Sequence, residues 1–221
     1  MTFSINLARL NGSNGFRLDG VIPPFWSGWS VSTAGDVNGD GFDDLIVGTY
    51  GADPNGFNSG SSYVVFGKAS GFSAAMDLSG LDGSNGFRLD GVAAYDRSGF
   101  SVSNAGDVNG DGFDDVIVGA PYADPNGVIF GSSYVVFGHA SGFSATMNLS
   151  SLNGSNGFSL DGEASYDRSG FSVSTAGDVN GDGFDDLIIG AWLGELDPND
   201  LDLGSSYVVF GHASGFSAAM N

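Results

Sequence analysis

Three stretches of this chain gather carboxylate and amide side chains at a spacing that suits a hard metal ion. They read GDVNGDGFDDLIVG at Gly35–Gly48, GDVNGDGFDDVIVG at Gly106–Gly119 and GDVNGDGFDDLIIG at Gly177–Gly190. Numbered from Asp36, position 3 is Asn38, position 5 is Asp40, position 6 is Gly41 and position 9 is Asp44. Alternate side chains of a tightly turning loop converge on one point, and glycine at the sixth position permits the sharp turn. Every donor is a hard oxygen, which favours Ca²⁺; Mg²⁺ demands a stricter octahedron and keeps several waters. The carbonyl of Phe42 at position 7 is expected as a fifth donor. The front half follows an EF-hand loop. The back half does not, because position 12 is Val47 instead of Glu and no flanking helix is available. Asp44 is therefore expected to close the site as a bidentate carboxylate.

The same roles fall to Asp107, Asn109, Asp111, Phe113 and Asp115, and to Asp178, Asn180, Asp182, Phe184 and Asp186, so three Ca²⁺ per chain are expected. Asp43, Asp114 and Asp185 at position 8 should point elsewhere, toward backbone amides. The bland alternative is a set of Asx-rich turns with no ion. Against it stands the repulsion among four acidic residues in each loop, repeated three times.

Charge supports a cation. The 221 residues carry 6 Lys plus Arg against 26 Asp plus Glu, a formal −20. A chain this acidic repels phosphate backbones and anionic lipid, which disfavours nucleic-acid and membrane-surface partners. A hydrophobic content of 41% still allows a packed core. With no Cys, thiol catalysis, disulfides and thiolate metal sites are excluded. No apolar run approaches a membrane span, and the first residues show no secretory signal pattern.

The elements that must position the loops repeat with them, since Asp36, Asp107 and Asp178 are 71 residues apart. A head segment precedes each loop: LARLNGSNGFRLDG at Leu7–Gly20, LSGLDGSNGFRLDG at Leu78–Gly91 and LSSLNGSNGFSLDG at Leu149–Gly162. GSSYVVFG follows each loop, and ASGFSAAM or ASGFSATM closes the unit. The repeats run over about 6–76, 77–147 and 148–221 within one unit spanning 1–221. No window shows helical periodicity. GFRLDG, FSVS, DDLIVG and SSYVVFG read as four short strands per repeat, which predicts an all-β propeller of four-stranded antiparallel blades. Ser4–Gly20 is a spare N-terminal strand. Three blades are too few for ordinary ring packing. The preferred expectation is a homodimer forming one six-bladed ring, each N-terminal strand closing a blade of its partner. A three-bladed ring in one chain and a fragment of a longer array are the alternatives.

The run SGFSVSNAGDVNGDGFDDVIVGAP at Ser98–Pro121, followed by GSSYVVFG, resembles the FG-GAP repeat of the integrin α-subunit β-propeller and its bacterial relatives. The resemblance covers all three units. It implies four-stranded blades with a structural Ca²⁺ in the loop between the first two strands of each, held by the positions named above. The preferred functional expectation is a non-enzymatic structural, adhesion or protein-interaction module, and loops of weak Ca²⁺ affinity point to a calcium-rich space outside the cell or at its surface. The departures are the blade count, since integrin propellers have seven, and the signature itself: "FG" appears as SGF or SGW, and "GAP" is intact only at Gly119–Pro121. Integrin ligand recognition is therefore not carried over.

Other candidates are weaker. His139 and His212 occupy equivalent places after YVVFG, where the first unit has Lys68, and read as turn residues. No Ser–His–Asp arrangement or phosphate loop is visible. Trp26, Trp29 and Trp192 lie in or beside the variable loops. They could stack on sugar rings, which would make the propeller a lectin, or cover the ring and pack at a chain seam. Asp96–Arg97 and Asp167–Arg168 are expected to form local ion pairs or contacts between blades.

Overall fold

Short runs of β-branched and aromatic residues, cut by glycine and Asx turns, become the strands of this protein. The computed structural model describes residues 6–21, 26–125, 127–193, 204–213 and 215–220. The strands are β1 (Arg17–Asp19), β2 (Ser30–Gly35), β3 (Asp44–Thr49), β4 (Ser61–Val65), β5 (Ala75–Asp77), β6 (Gly86–Asp90), β7 (Ser101–Gly106) and β8 (Asp115–Ala120). They continue with β9 (Ser132–Val136), β10 (Thr146–Asn148), β11 (Gly157–Asp161), β12 (Ser169–Gly177), β13 (Asp186–Ala191), β14 (Ser205–Val209) and β15 (Ala219–Met220). All four strand segments read from the sequence are present in each repeat.

Two features exceed that reading. The closing ASGFSAAM segment supplies a further short strand, and each head opens with a one-turn 3₁₀ segment, at Leu7–Arg9, Leu78–Gly80 and Leu149–Ser151. The sheets are consequently five-stranded, ordered β10-β6-β4-β3-β2 and β15-β11-β9-β8-β7. The outermost pair in each is parallel, Thr146 opposite Arg88 and Ser159 opposite Ala219. A sheet thus mixes repeats: the head strand of one unit pairs antiparallel with the fourth strand of the unit before it. Among the described residues the third sheet has only β12-β13-β14, and β1 pairs with β5 alone. No closure of β1 onto β14 occurs within one chain.

Successive sheets stack face to face, and β7 lies beside both β2 and β12, as first strands do around a common axis. The arrangement fits a β-propeller. The core lies between sheets. Ile46, Val64 and Phe87 of the first sheet meet Val102, Val116 and Val118 of the second. Ile117, Val135 and Phe158 meet Leu187 and Ile189 of the third. Each fully buried side chain of this kind contributes about 1.5–3 kcal/mol. Phe143 stacks flat on Phe87 at 4.2 Å and Phe216 on Phe158 at 4.5 Å, pinning each closing segment to its sheet. β9, in a sheet with neighbours on both sides, is buried along its whole length; β14 alternates instead, because one of its faces is bare. No helix among the described residues is long and apolar enough to cross a membrane, which says nothing of β-barrels.

Candidate metal centre

Each acidic loop joins the first two strands of its sheet. In the first unit β2 ends in a bulge between Thr33 and Gly35, and Gly35 takes a left-handed φ of 72° that turns the chain outward. Gly39 and Gly41, also left-handed, fold it back. The Asp36 carboxylate accepts from the amides of Asp40 (3.0 Å) and Gly41 (2.9 Å). Asn38 Oδ1 accepts from Asp40 N at 2.8 Å, and Asp40 Oδ1 accepts from Phe42 N at 3.0 Å. Positions 1, 3 and 5 therefore gather on one short arc of backbone. The second and third loops repeat these bonds around Asp111 and Asp182.

Position 9 does something different. Asp44 is fully buried, and its two oxygens accept from Val37 N (3.1 Å) and Gly67 N (2.8 Å). Asp115 does the same with Val108 and Gly138, and Asp186 with Val179 and Gly211. These residues tie the loop to the end of the third strand of the sheet. Burial pushes the Asp44 carboxyl up to about 7 despite those bonds, and the neighbouring Asp40 and Asp36 add to the rise. Asp115 is pushed up to about 8, by burial first and then by Asp111 and Asp107. At Asp44 and Asp115, burial, with a smaller contribution from the loop carboxylates, thus opposes the negative charge.

Among the described residues no group of three or more His, Cys, Asp or Glu side chains stands in an arrangement that could hold a metal ion. The carboxylates face loop amides. The donor chemistry itself fits Ca²⁺: hard carboxylate and amide oxygens on one turn, beside a buried carboxyl.

Position 8 points elsewhere, as expected, but its target is the loop of the preceding unit. Asp114 Oδ2 accepts from Asp36 N at 2.8 Å, and Asp185 Oδ2 from Asp107 N at 2.9 Å. The Phe side chains at position 7 join this seam, Phe113 lying over Gly39 and Phe184 over Gly110. Sequence reasoning assigned those residues only a carbonyl. The unused signal was the invariance of a large ring beside glycine in all three copies.

The tryptophans form a seam of their own. Trp26 stacks on Tyr50 at 5.4 Å, Trp29 meets Tyr50 edge-on at 4.9 Å, and Trp192 tilts against Phe171 at 5.5 Å. Phe100 touches Trp29, Tyr50 and Phe171, which makes the row continuous from unit to unit. Arg97 lies over Tyr50 and Tyr122, and Arg168 over Tyr122 and Trp192. These arginines act as contacts between units; the ion pairs Arg17–Asp19 and Arg88–Asp90 each lie within a single strand. Trp26, Trp29 and Trp192 nonetheless remain half-exposed. His139 and His212 stack on Phe143 and Phe216, as turn residues do.

A series of stacked sheets, each carrying an acidic loop between its first two strands, defines a repeat protein of the integrin-propeller class. The FG-GAP repeat model matches residues 27–65, 98–136 and 169–209, and the chain belongs to that family. It is 33% identical over 181 residues to integrin alpha pat-2 of Caenorhabditis elegans, an alignment covering 76% of this chain. It is 30% identical over 190 residues to integrin alpha-PS2 of Drosophila melanogaster, covering 83%. It is also 33% identical over 166 residues, 74% of the chain, to phosphatidylinositol-glycan-specific phospholipase D of Bos taurus. The aligned region spans 13% of each integrin and 18% of the phospholipase.

Proposed function

We propose that this chain is a non-enzymatic, calcium-stabilised propeller module used for adhesion or protein interaction outside the cell or at its surface. The observation that carries the reading is the loop itself. Three times, a buried aspartate sits under a turn of further hard oxygen donors. Asp36, Asn38, Asp40, Asp44 and the Phe42 carbonyl would hold the first ion, with the equivalent sets in the other two units. Bound Ca²⁺ would neutralise the loop and fasten it to the strand end that Asp44 already reaches. Three ions would take the formal charge from −20 to −14. Loops of modest affinity fill in millimolar extracellular calcium, which favours an exported setting. The integrin relatives support an adhesion role. The phospholipase relative is an enzyme by name; here both histidines are stacked on phenylalanines, and His139 Nδ1 lies 2.9 Å from the hydroxyl of Ser141, two residues along the same exposed turn.

Melting in calcium and in excess EGTA tests this. The midpoint should rise in calcium by the equivalent of about 2.7 kcal/mol per site at a hundredfold excess over Kd. Titration calorimetry should count three sites per chain. Identical melts, with no heat of binding, would sink the calcium assignment. A lectin role for Trp26, Trp29 and Trp192 has less support, since neighbouring rings and Arg168 occupy parts of their surfaces. A glycan array should accordingly show no hits that are lost in W26A or W192A.

A further inference from the structure

The two ends of the chain present complementary halves of one interface, and the interior units show what completes it. We infer that a second copy of this chain supplies the missing half, so that two chains close one ring of six blades through two identical seams. The inference rests on repeat geometry and is independent of calcium.

Strand pairing is the first line of support. The sheets of the first two units read β10-β6-β4-β3-β2 and β15-β11-β9-β8-β7. The leftover pieces, β5-β1 and β14-β13-β12, become the same five-stranded sheet when β1 of one copy is laid against β14 of the other. The two complete sheets give the register. Tyr63 faces Arg88 and Tyr134 faces Ser159, so Tyr207 would face the partner's Arg17.

A cavity is the second. The space of about 560 Å³ lined by Leu160, Ile189, Tyr207, Val209 and Met220 has a filled counterpart between the first two sheets. There the equivalent residues Leu89, Val118, Tyr134, Val136 and Met147 surround Leu149 and Leu152 of the next head. Leu78 is likewise buried against Val47, Tyr63 and Val65. The first head carries the same leucine, and there Leu7 is 78% exposed, against 1% for Leu78 and 2% for Leu149. The structure therefore holds an empty socket at one end and an unused plug at the other.

The loop seam is the third. Asp114 and Asp185 bond the preceding loop, but Asp43 has no such partner among the described residues. Phe113 and Phe184 cover Gly39 and Gly110, whereas nothing lies over Gly181. Val37 and Val108 are buried at the seam, and the matching Val179 is 57% exposed. On the opposite end Val31 is exposed where Val102 is buried. Asp43 and Phe42 of one copy fit Gly177–Gly181 of the other, in the relation Asp114 and Phe113 have to Gly35 and Gly39.

Light scattering on the 221-residue chain should give twice 22.5 kDa at micromolar concentration. L7D should weaken association at least about tenfold, because it places a charge in an apolar socket. Y166D adds the same charge at a tyrosine exposed in both of its units and should leave association unchanged. Leu7 is exposed in the single chain, so circular dichroism should show L7D still folded. The chain has no native cysteine, so the R17C/Y207C variant reports pairing directly. The expected product under oxidation is a covalent dimer. A monomeric mass, an internal disulfide within one chain, or a ladder of longer polymers would each overturn the two-chain ring.

Discussion

At the level of single residues, aspartates do three separate jobs that composition alone lumps together. Those at positions 1 and 5 organise the turn, position 9 ties it to a strand, and position 8 reaches the neighbouring unit. Asp114 gives the clearest consequence. D114A leaves the Asp36 amide at the seam without its acceptor and should cost about 1–3 kcal/mol in denaturant unfolding. A cost near zero would show that the bond does not couple the units. Asp96 illustrates the opposite sign. It is buried, accepts from Ala93 N at 2.9 Å, and is pushed up to about 6 by burial, with Asp124 adding to the rise. Its ordinary carboxyl pKa is near 3.9. Because the folded value is the higher one, the folded state prefers the protonated form. Stability is fullest below about pH 4, falls as pH rises to about 6, and is level above that. D96N removes the ionisation and should stabilise the protein at neutral pH by at most about 3 kcal/mol relative to the acid value. Melting curves of wild type and D96N that run parallel across that range would refute the assignment.

At the level of elements, strand identity was legible because each strand is a short β-branched run between Asx and glycine breakers. The closing strand and the 3₁₀ turns were not. Ala75–Asp77 has no alternating pattern to mark it, and it is a strand only because Phe72 stacks on Phe16 and holds it beside β1. The metal loops were legible as donor sets. Their attachment to Gly67, and the seam made by Asp114 and Phe113, depend on partners 23 and 78 residues away, which no local pattern reveals. The same distance dependence shows in the strand glycines. A methyl group at Gly119 would overlap the carbonyl of Gly170 in the next sheet, a backbone atom that cannot step aside. At Gly190 the nearest group is the Ser172 hydroxyl, which can rotate. G119A should therefore destabilise the fold by about 1–3 kcal/mol, while G190A should cost the isolated chain well under half as much. Equal costs in dilute denaturant titrations would mean that close approach of sheets is not what the glycine serves.

At the level of the whole molecule, nearly identical units differ chiefly in what lies beside them, so stability should follow position. In a repeat array each unit is held by its own sheet and by its nearest neighbours. The middle sheet has both neighbours, and β9 is buried along its whole length. The third has one neighbour, and β14 is left with Val208 at 47% exposure where Val64 and Val135 are fully buried. Native-state hydrogen exchange reads this gradient strand by strand. In dilute solution β9 amides should exchange slowest and β14 amides fastest, because the outer edge of β14 has no hydrogen-bonded neighbour among the described residues. Raising the protein concentration should then slow β14 toward the rate of β4, whose place in a complete sheet it would come to share, and should leave β9 nearly unchanged. In L7D that concentration dependence should disappear while the dilute pattern stays the same. Protection of β14 equal to that of β9 at every dilution would mean that the edge is already covered within one chain, and the second copy would have nothing to complete.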